Sequence, residues 1–384
     1  MRLPGRIGLL ALGALVLCTG CGSTAAPSAA AAARGVTQPM SLAGSVATSQ
    51  ATWAVLPMGA LSGPNQFWQL FLLAAGSRQW KLETPPDIAT NGAPALAGLA
   101  GTGLIAGVRP SLYLDYSPVS QTSDAGKTWT AGPPAAGLAS VPDALAGTPG
   151  GGQLLALSRS GQVSSAATGS SWRKLVSERS LAASPAGRAC GLTALTAVAY
   201  TAGGTALVAG DCRTPGATGI FVQSGSSSWQ AVGPALPSSL SRAPVRVLRL
   251  VASSAGTVAL LQSGNGPAAQ LIAGWRSPSG QWALSPALSL AGSAVRSAAF
   301  GDAGAAAVLL ANGRAAVITG QGGSWRLTSA VPAAPGETLA LPADGQVDAL
   351  TAAGGTLTVW QLGSSGAWSR SETVKVPIQY GSSA

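Results

Sequence analysis

Histidine is missing from this chain of 384 residues, and charged residues make up only 9% of it. Without histidine the chain cannot build a Ser-His-Asp triad, a Cys-His nucleophile pair or a zinc site with imidazole ligands. Its three methionines and its 5% of aromatic residues are too few to indicate a haem or quinone pocket. The sequence also lacks a P-loop and the Asp-rich loops that bind calcium. We therefore expect no metal and no organic cofactor.

Residues that favour long helices are scarce as well. Solvated helix faces draw on lysine and glutamate, whereas this chain contains 52 glycines, 26 prolines and 47% hydrophobic residues. Glycine and proline disfavour helix interiors, because glycine loses more backbone entropy on ordering and proline lacks the hydrogen-bond donor. The composition predicts an all-β fold.

The net charge of +10 comes from basic residues that are spread along the chain. Their densest run is Arg242, Arg246 and Arg249. The last two are three positions apart, so in a regular strand they would point to opposite faces. A nucleic-acid surface needs clustered basic residues among stacking aromatics. We therefore predict no nucleic-acid partner and interpret the charge as favouring solubility, or a weak attraction to anionic headgroups and wall polymers.

The N-terminus has the layout of an export signal. Arg2 and Arg6 precede an uncharged apolar stretch, residues 7–17, which is too short to span a bilayer but suits the core of a signal peptide. The residues Leu-Cys-Thr-Gly-Cys at 17–21 resemble the lipobox of bacterial lipoproteins. In that family the cysteine receives a diacylglycerol thioether and becomes the new N-terminus, which implies lipidation of Cys21.

One position departs from the lipobox pattern, because Cys18 stands where that family usually has leucine. The alternative is ordinary secretion with cleavage near Ala25 or Ala26. On the lipobox interpretation, residues 1–20 are a signal peptide and residues 21–45, rich in Ala, Ser, Thr, Gly and Pro, are a flexible tether. We then expect the mature chain on the outer face of the bacterial cell membrane.

Cys190 and Cys212 are the cysteines that remain after this processing. An exported chain with one isolated pair is expected to oxidise it. Closing a loop of this length stabilises a fold by about 3 kcal/mol in the chain-entropy description. We predict a structural disulfide between them.

Tryptophans recur along the chain at intervals of 43 to 57 residues, each two to four positions after a glycine. A period in the forties with turn glycines, β-branched runs and one anchoring aromatic is typical of a propeller blade. We predict that each ring opens the outer strand of a four-stranded antiparallel blade and packs between neighbouring blades, burying about 200 Å². The recurring residues are Trp80, Trp129, Trp172, Trp229, Trp282, Trp325 and Trp368.

Seven such tryptophans predict a seven-bladed β-propeller over residues 46–384. The clearest unit is 245–288, in which four apolar runs alternate with short turns. Six blades are the alternative if the first unit, with strands at 52–56 and 67–73, is incomplete. Eight are the alternative if 374–380 forms a further sheet.

The best-defined motif is Thr-Ser-Asp-Ala-Gly-Lys-Thr-Trp at 122–129. It resembles the Asp-box, or BNR repeat, of sialidase-like propellers and of the photosystem assembly factor propellers, which implies a hairpin turn between the third and fourth strands of a blade. In physical terms Asp124 can accept backbone N–H bonds, Gly126 supplies a positive φ, and Trp129 anchors the outer strand. With Thr122, which opens the motif, these residues are predicted to be structural.

The resemblance to sialidases provides an enzyme as the alternative function. Those glycoside hydrolases use three arginines, a Tyr–Glu nucleophile pair and an Asp acid. Here the nearest arginine motif, Val-Arg-Pro at 108–110, lacks a residue and lies in the wrong part of the chain. No pairing among the glutamates and tyrosines has a recognisable context.

We therefore predict a non-catalytic binding or scaffold protein. A propeller presents loops on a face that suits contacts with proteins or glycans. The longer intervals between tryptophans indicate 180–188 and 233–244 as partner-facing loops, although insertions of this kind are also tolerated without any function. The expected partner is an envelope protein or polysaccharide, with the membrane reached through the lipid anchor, and the chain is expected to be a monomer.

Overall fold

Antiparallel β-strands make up nearly all of the regular structure, as the composition predicts. Among the residues that the computed structural model describes, thirty strands are interrupted by two short helices and one 3-10 turn. Those residues are 44–58, 67–85, 88–89, 95–107, 109–110, 119–130, 138, 141–148, 150–167, 170–253, 256–301, 303–334, 336–353 and 355–376. None of the helices in these ranges has the length and apolar character needed to cross a bilayer.

Consecutive strands form the blades of a propeller, and neighbouring strands in a blade are antiparallel. Blade 1 contains β1 (Ser45–Ala47), β2 (Ala51–Met58), β3 (Phe67–Ala74) and β4 (Lys81–Leu82). Blade 2 contains β6 (Ala95–Gly98), β7 (Leu104–Gly107) and β9 (Val119–Thr122). Blade 3 contains β10 (Ala144–Gly147), β11 (Gln153–Leu157), β12 (Gln162–Ala167) and β13 (Arg173–Ser177). In blade 2 a bridge between Gln121 and Thr130 takes the place of the fourth strand. A separate ladder pairs β5 (Ile88–Ala89) with β8 (Arg109–Pro110).

The remaining blades follow the same order. Blade 4 contains β14 (Leu192–Tyr200), β15 (Ala206–Cys212), β16 (Gly219–Gln223) and β17 (Trp229–Ala231), and blade 5 contains β18 (Val245–Ser253), β19 (Gly256–Ser263), β20 (Gln270–Arg276) and β21 (Trp282–Leu284). Blade 6 contains β23 (Val295–Phe300), β24 (Ala306–Leu310), β25 (Arg314–Ile318) and β26 (Arg326–Ala330). Blade 7 contains β27 (Gly336–Ala340), β28 (Asp348–Ala353), β29 (Thr356–Leu362) and β30 (Trp368–Lys375). In blade 5 a short strand, β22 (Leu288–Ser289), also pairs with β20. The 3-10 turn Gly266–Ala268 precedes β20, and the helices α1 (Glu178–Ala182) and α2 (Pro185–Cys190) connect blade 3 to blade 4.

The prediction of seven blades is confirmed, and the alternatives of six and eight are wrong. The first unit is a complete four-stranded blade that begins at Ser45, and Val374 belongs to β30, the outer strand of blade 7. Blade 1 is built only from the first strands of the propeller and blade 7 only from the last. Among the described residues, the ring is therefore closed without a blade shared between its first and last strands.

Seven apolar clusters among the described residues hold the ring together, one at each interface between adjacent blades. The strand β11 shows how one sequence serves two of them. Leu154 and Ala156 pack into the cluster shared with blade 2, whereas Leu155 and Leu157 pack into the cluster shared with blade 4. Because side chains alternate across a strand, a strand covered on both faces needs apolar residues at every position. This double burial explains why the chain has so few charges.

Each interface cluster also contains one of the seven recurring tryptophans, contributed by the later of its two blades. In blades 5 to 7 the indole N–H of this tryptophan donates a hydrogen bond to the preceding blade. The acceptor lies three or four positions after the tryptophan of that preceding blade. Trp282 donates to the Val232 carbonyl at 2.5 Å, Trp325 to Ser285 Oγ at 3.1 Å and Trp368 to the Ser329 carbonyl at 3.1 Å. Such a bond contributes about 1 kcal/mol, which is less than burial of the ring contributes. Burial therefore holds the blades together, and the hydrogen bond orients the ring.

Trp80 has this position at the closure of the ring, where blade 1 meets blade 7. The residue is 3% exposed within the cluster of that interface. Its indole N–H donates to Asp348 Oδ2 at 3.2 Å, and its backbone N–H donates to Glu372 Oε2 at 3.1 Å. Burial raises the pKa of Asp348 to about 6; the Trp80 hydrogen bond opposes that rise, and the charges of Asp344 and Glu372 add to it. The closing interface thus contains a carboxyl group that titrates near pH 6.

Cys190 and Cys212 form a disulfide, with their Cα atoms 5.3 Å apart. The bond joins the last residue of α2 to the last residue of β15, and both cysteines are buried in the cluster between blades 3 and 4. The disulfide therefore fixes α2 against the edge of blade 4.

Segment 180–188, predicted as a loop, lies in α1 and α2 instead. The side chains of Ser177 and Ser184 cap these helices by accepting backbone N–H bonds, and Leu181, 1% exposed, packs between blades 3 and 4. Each helix is shorter than two turns, so its sequence carries no helical periodicity that could be recognised.

We predict that Asp348→Asn stabilises the protein at neutral pH. A folded-state pKa near 6, against an ordinary value of 3.8, means that the folded protein holds the proton more tightly than the unfolded chain does. The free energy of unfolding should therefore fall as pH rises from about 4 to about 7, by up to about 3 kcal/mol from this group. The asparagine side chain would keep an acceptor for Trp80 and abolish that fall. Urea unfolding at pH 4.5 and 7.5 measures both values.

The matched control for this experiment is Asp344→Asn, which removes an exposed charge in the preceding turn and keeps an acceptor for the Gln346 N–H. We expect it to change stability by less than about 1 kcal/mol. An Asp348→Asn variant that keeps the wild-type slope of stability against pH would contradict the assignment.

Candidate functional site

The first strand of each blade lies nearest the propeller axis. β10 lies beside β6 and β14, while β1 lies beside β6, β23 and β27. Gly44, immediately before β1, forms a parallel bridge with Ala298 of β23. This bridge joins blades 1 and 6. A cavity lies at the axis, and blade 7 contributes no described residue to its wall.

A cavity of about 310 Å³, hereafter the axial cavity, lies where the first strands end. Small and aliphatic side chains form most of its wall, because six strands that converge on one axis leave little room for larger ones. Its wall consists of residues 45–49, 96–100, 145–147, 199–200, 249–253 and Phe300. Polar side chains lie among them, namely those of Ser45, Thr48, Ser49, Tyr200, Arg249 and Ser253.

Arg249 is the one charged side chain among the described residues of this wall. Its Cζ atom lies 5.9 Å from the centre of the Phe300 ring, within the range of a cation–π contact. Burial lowers the pKa of Arg249 to about 10, so the guanidinium stays charged at neutral pH. Arg249 also lines a second cavity of about 30 Å³, close to the volume of one water molecule, together with Asp143 and Thr196.

A β-bulge interrupts β18 between the two arginines. Arg246 pairs with Gln262 of β19, and the register then shifts by one residue, so that Arg249 pairs with Leu260. The two side chains contact opposite neighbours of blade 5. Arg246 forms an ion pair with Asp211 of blade 4, with 3.2 Å between Nε and Oδ2, whereas Arg249 lies against Phe300 of blade 6. These contacts agree with the prediction that the two arginines point to opposite faces.

Two buried hydroxyl groups, from Ser45 of blade 1 and Tyr200 of blade 4, belong to residues of the same wall. Each residue is 2% exposed, and neither hydroxyl has a hydrogen-bond partner among the described residues. Burial raises the pKa of Tyr200, so its phenol stays protonated and can donate. Leaving a buried hydroxyl unbonded costs about 1–3 kcal/mol.

The wall combines Arg249 and Tyr200 but includes no carboxylate among its described residues. The glutamates lie on different parts of the ring: Glu83 just after β4, Glu178 in α1, Glu337 in β27 and Glu372 in β30. Three of the four tyrosines, Tyr113, Tyr116 and Tyr380, lie outside the described residues. Within the described ranges, no group of three or more metal-ligating side chains is found.

Residues 122–129, the best-defined motif of the sequence, form a turn that connects β9 to the bridge at Thr130. Asp124 Oδ1 accepts the Thr128 backbone N–H at 2.9 Å, and Asp124 Oδ2 accepts the Thr128 hydroxyl at 2.6 Å. Thr122 Oγ1 donates to Asp124 Oδ1 at 2.9 Å and accepts the Gly126 N–H at 3.0 Å. Gly126 has a φ of +86°, and a Cβ there would come within 2.8 Å of the Cβ of Glu83.

This geometry makes Asp124 a structural group. The hydrogen bonds from Thr128 are the main reason that the pKa of Asp124 is lowered to about 2. A carboxyl group with that pKa holds no proton near neutral pH and cannot act as a general acid there. Trp129 packs edge-on against Trp53 of blade 1, with ring centres 5.9 Å apart, so the motif anchors blade 2 to blade 1.

The predicted export features lie outside the described residues. These are the signal peptide at 1–20, the lipidation site Cys21, and the tether up to residue 43. The second predicted loop, 233–244, contains no strand, and Leu240 within it is buried.

Sequence reasoning missed Arg249, Ser45 and Tyr200 as residues of one cavity wall. They come from blades 5, 1 and 4, so this wall forms only when the ring closes. The available signal was the pair of arginines, Arg246 and Arg249, in a mainly apolar first strand.

Comparison with known proteins supports the fold and goes no further. No known protein family matches the chain, and no curated protein matches it in sequence. Solved structures do match: a protein from Lactobacillus plantarum is 13% identical, with 85% of this chain and 97% of that chain covered and a TM-score of 0.51. YCF48 bound to a D1 peptide is 14% identical (81% and 90% covered, TM-score 0.45). The periplasmic gluconolactonase PpgL of Pseudomonas aeruginosa is 16% identical (84% and 96% covered, TM-score 0.49).

We predict that Thr122→Val destabilises the protein by about 1–2 kcal/mol, because it removes the acceptor of the Gly126 N–H from a buried position. Thr128→Val is the matched control: its hydroxyl also binds Asp124 but is exposed, so we expect a loss of about 0.5 kcal/mol or less. Denaturant unfolding followed by tryptophan fluorescence compares the two. Equal losses would show that the turn does not depend on the buried threonine.

Proposed function

We propose that this chain is an exported, lipid-anchored β-propeller that acts as a non-catalytic binding or scaffold protein at the bacterial cell envelope. The observation that carries this proposal is the wall of the axial cavity, which has one cation, buried hydroxyls and no carboxylate among its described residues. Cleaving a glycosidic bond requires two carboxyl groups on either side of that bond in most glycosidases. Binding requires only a fitted wall and a few oriented polar groups.

The proposed location is supported by the signal-like N-terminus and by the lipobox resemblance at 17–21. The Cys190–Cys212 disulfide is consistent with an oxidising compartment outside the cytoplasm. The proposed partner is an envelope protein or polysaccharide, and the chain works as a monomer attached to the outer face of the cell membrane.

A labelling experiment on the lipid anchor tests the proposed location at the cell membrane. In a bacterial host fed an alkyne fatty acid, we expect the wild-type chain and Cys18→Ala to be labelled and to fractionate with membranes. Cys21→Ala should be unlabelled and released, since the thiol that carries the diacylglycerol is gone. Cys18→Ala is the matched control because it removes a neighbouring thiol. Label that persists in Cys21→Ala, or a wild-type chain without label, would refute the anchor.

Binding without hydrolysis tests the activity. Cys21→Ala protein, which carries no lipid of its own, should bind isolated envelopes saturably and leave a fluorogenic sialoside intact. Treating the envelopes with protease or with a muramidase separates the two partner classes. Protease should abolish binding to an envelope protein, and the muramidase should abolish binding to a wall polysaccharide. Turnover of the sialoside above the blank would replace the proposal with the glycoside hydrolase alternative, and envelopes that bind no protein would reject the binding role.

A further inference from the structure

Four exposed arginines lie on one side of blades 3 to 5, and together they form what we call the arginine surface. Arg179 belongs to α1, Arg188 to α2, Arg213 to the turn after β15, and Arg242 to the connection that precedes β18. None of the four forms an ion pair with another described residue. Both segments predicted to face a partner, 180–188 and 233–244, contribute to this surface.

Backbone hydrogen bonds bring these four arginines together. The Arg213 N–H donates to the Gly191 carbonyl, directly after α2, at 3.0 Å. In the same turn the Gly216 N–H donates to the carbonyl of Ala243, the residue after Arg242, also at 3.0 Å. The disulfide fixes the end of α2 beside this turn, and α1 packs against α2. The arginine surface is therefore continuous.

The nearest acids in the sequence do not neutralise this surface. The Glu178 carboxylate lies against Gly161 of blade 3, where an added Cβ would come within 2.7 Å of its Oε2. Asp211 is paired with Arg246. Arg188 donates to the Ala183 carbonyl at 2.5 Å, which leaves its positive charge in place.

The arginine surface also lacks the apolar centre that a folded protein partner would need. Among the described residues the exposed large apolar side chain is Leu327, which lies in β26 of blade 6. The core of a protein–protein interface is usually apolar and aromatic, with charged groups at its rim. Exposed guanidinium groups without such a core match a flat, negatively charged partner.

The described chain begins on the same side of the propeller. The first strands end at the axial cavity, whereas α1, α2 and 233–244 precede the starts of β14 and β18. β1 runs parallel to β23, as the bridge between Gly44 and Ala298 shows, so Gly44 lies toward the side from which first strands start. Cys21 precedes Gly44 by 23 positions. A linker of that length spans about 25 Å if it is unstructured.

We propose that the arginine surface rests on the anionic phospholipid headgroups of the membrane that carries the lipid anchor, so that the side with the axial cavity faces away from the bilayer. This inference rests on the proposed function, which places the chain at that membrane. A guanidinium binds phosphate oxygens through two parallel hydrogen bonds. Each basic residue at an anionic membrane strengthens binding about fivefold, and a basic surface adds a second attachment to a lipid anchor.

Sedimentation with vesicles tests the charge requirement. The full-length Cys21→Ala protein carries no lipid, so its binding reports the protein surface alone. We expect it to bind vesicles of equal parts phosphatidylglycerol and phosphatidylcholine at least tenfold more tightly than vesicles of phosphatidylcholine. Added salt should weaken this binding, because ions screen charges at an exposed surface. Equal binding to both kinds of vesicle would overturn the proposal.

Two triple variants of this protein locate the binding surface. The first combines Arg179→Gln, Arg213→Gln and Arg242→Gln, and it should bind the anionic vesicles at least tenfold more weakly. The matched control removes the same number of exposed positive charges from the side with the axial cavity and should bind within threefold of the parent; it combines Arg78→Gln, Lys127→Gln and Arg173→Gln. Equal losses would show that net charge alone attracts the protein and would overturn the proposal.

The remaining outcomes are separate from those of the anchor. If the first triple variant fails to fold by near-UV circular dichroism, Arg213→Gln is compared with Arg173→Gln, and a loss of at least threefold for Arg213→Gln alone supports the proposal. No difference between them rejects it. A first triple variant that loses binding to isolated cell walls but keeps binding to vesicles would assign the surface to a wall polymer and overturn the proposal.

The fatty-acid labelling experiment distinguishes failure of this proposal from failure of the anchor. A labelled wild-type chain together with no vesicle binding by Cys21→Ala would reject the arginine surface and keep the anchor. Vesicle binding that depends on the arginine surface, together with an unlabelled wild-type chain, would support the surface and reject the anchor.

Discussion

Closure of the ring between blade 7 and blade 1 is the contact on which the rest of the propeller depends. Every other interface joins blades that are consecutive in the chain, whereas this one joins the first described blade to the last, and no strand among the described residues is shared between them. Side-chain packing around Trp80 and the two hydrogen bonds of that residue must therefore supply what the covalent chain supplies elsewhere. Placing Asp348 in this interface makes its strength depend on pH, because burial makes the folded protein hold the proton of this carboxyl group more tightly than the unfolded chain does.

Closure also creates the axial cavity. First strands with small side chains can approach the axis, and the bridge between Gly44 and Ala298 joins blades 1 and 6 on one side of it. The wall then comes from blades 1 to 6, and it consists of the ends of first strands and the turns that follow β1 and β6.

The architecture could be predicted from the sequence, whereas the arrangement of the cavity could not. Regular spacing reveals a blade because each tryptophan, such as Trp282, serves the same interface in every repeat. The turn at Asp124 could be predicted because its hydrogen bonds are local. Ser45 and Tyr200 lie far apart in the chain and enter one cavity wall only when the ring closes, so no local pattern marks them. No pattern in the sequence marks the bulge of β18 between Val247 and Arg249 either.

Two of the few acids among the described residues serve contacts between blades. Asp211 and Glu337 lie in ion pairs that join adjacent blades, with Arg246 and Arg296 respectively. Burial raises the pKa of both carboxyl groups, and their arginine partners oppose that rise. Removing either arginine would leave a largely buried carboxyl group without its cation, which costs more than the intact pair contributes. A chain with so few charges therefore places some of them where loss of one partner would weaken the contact between two blades.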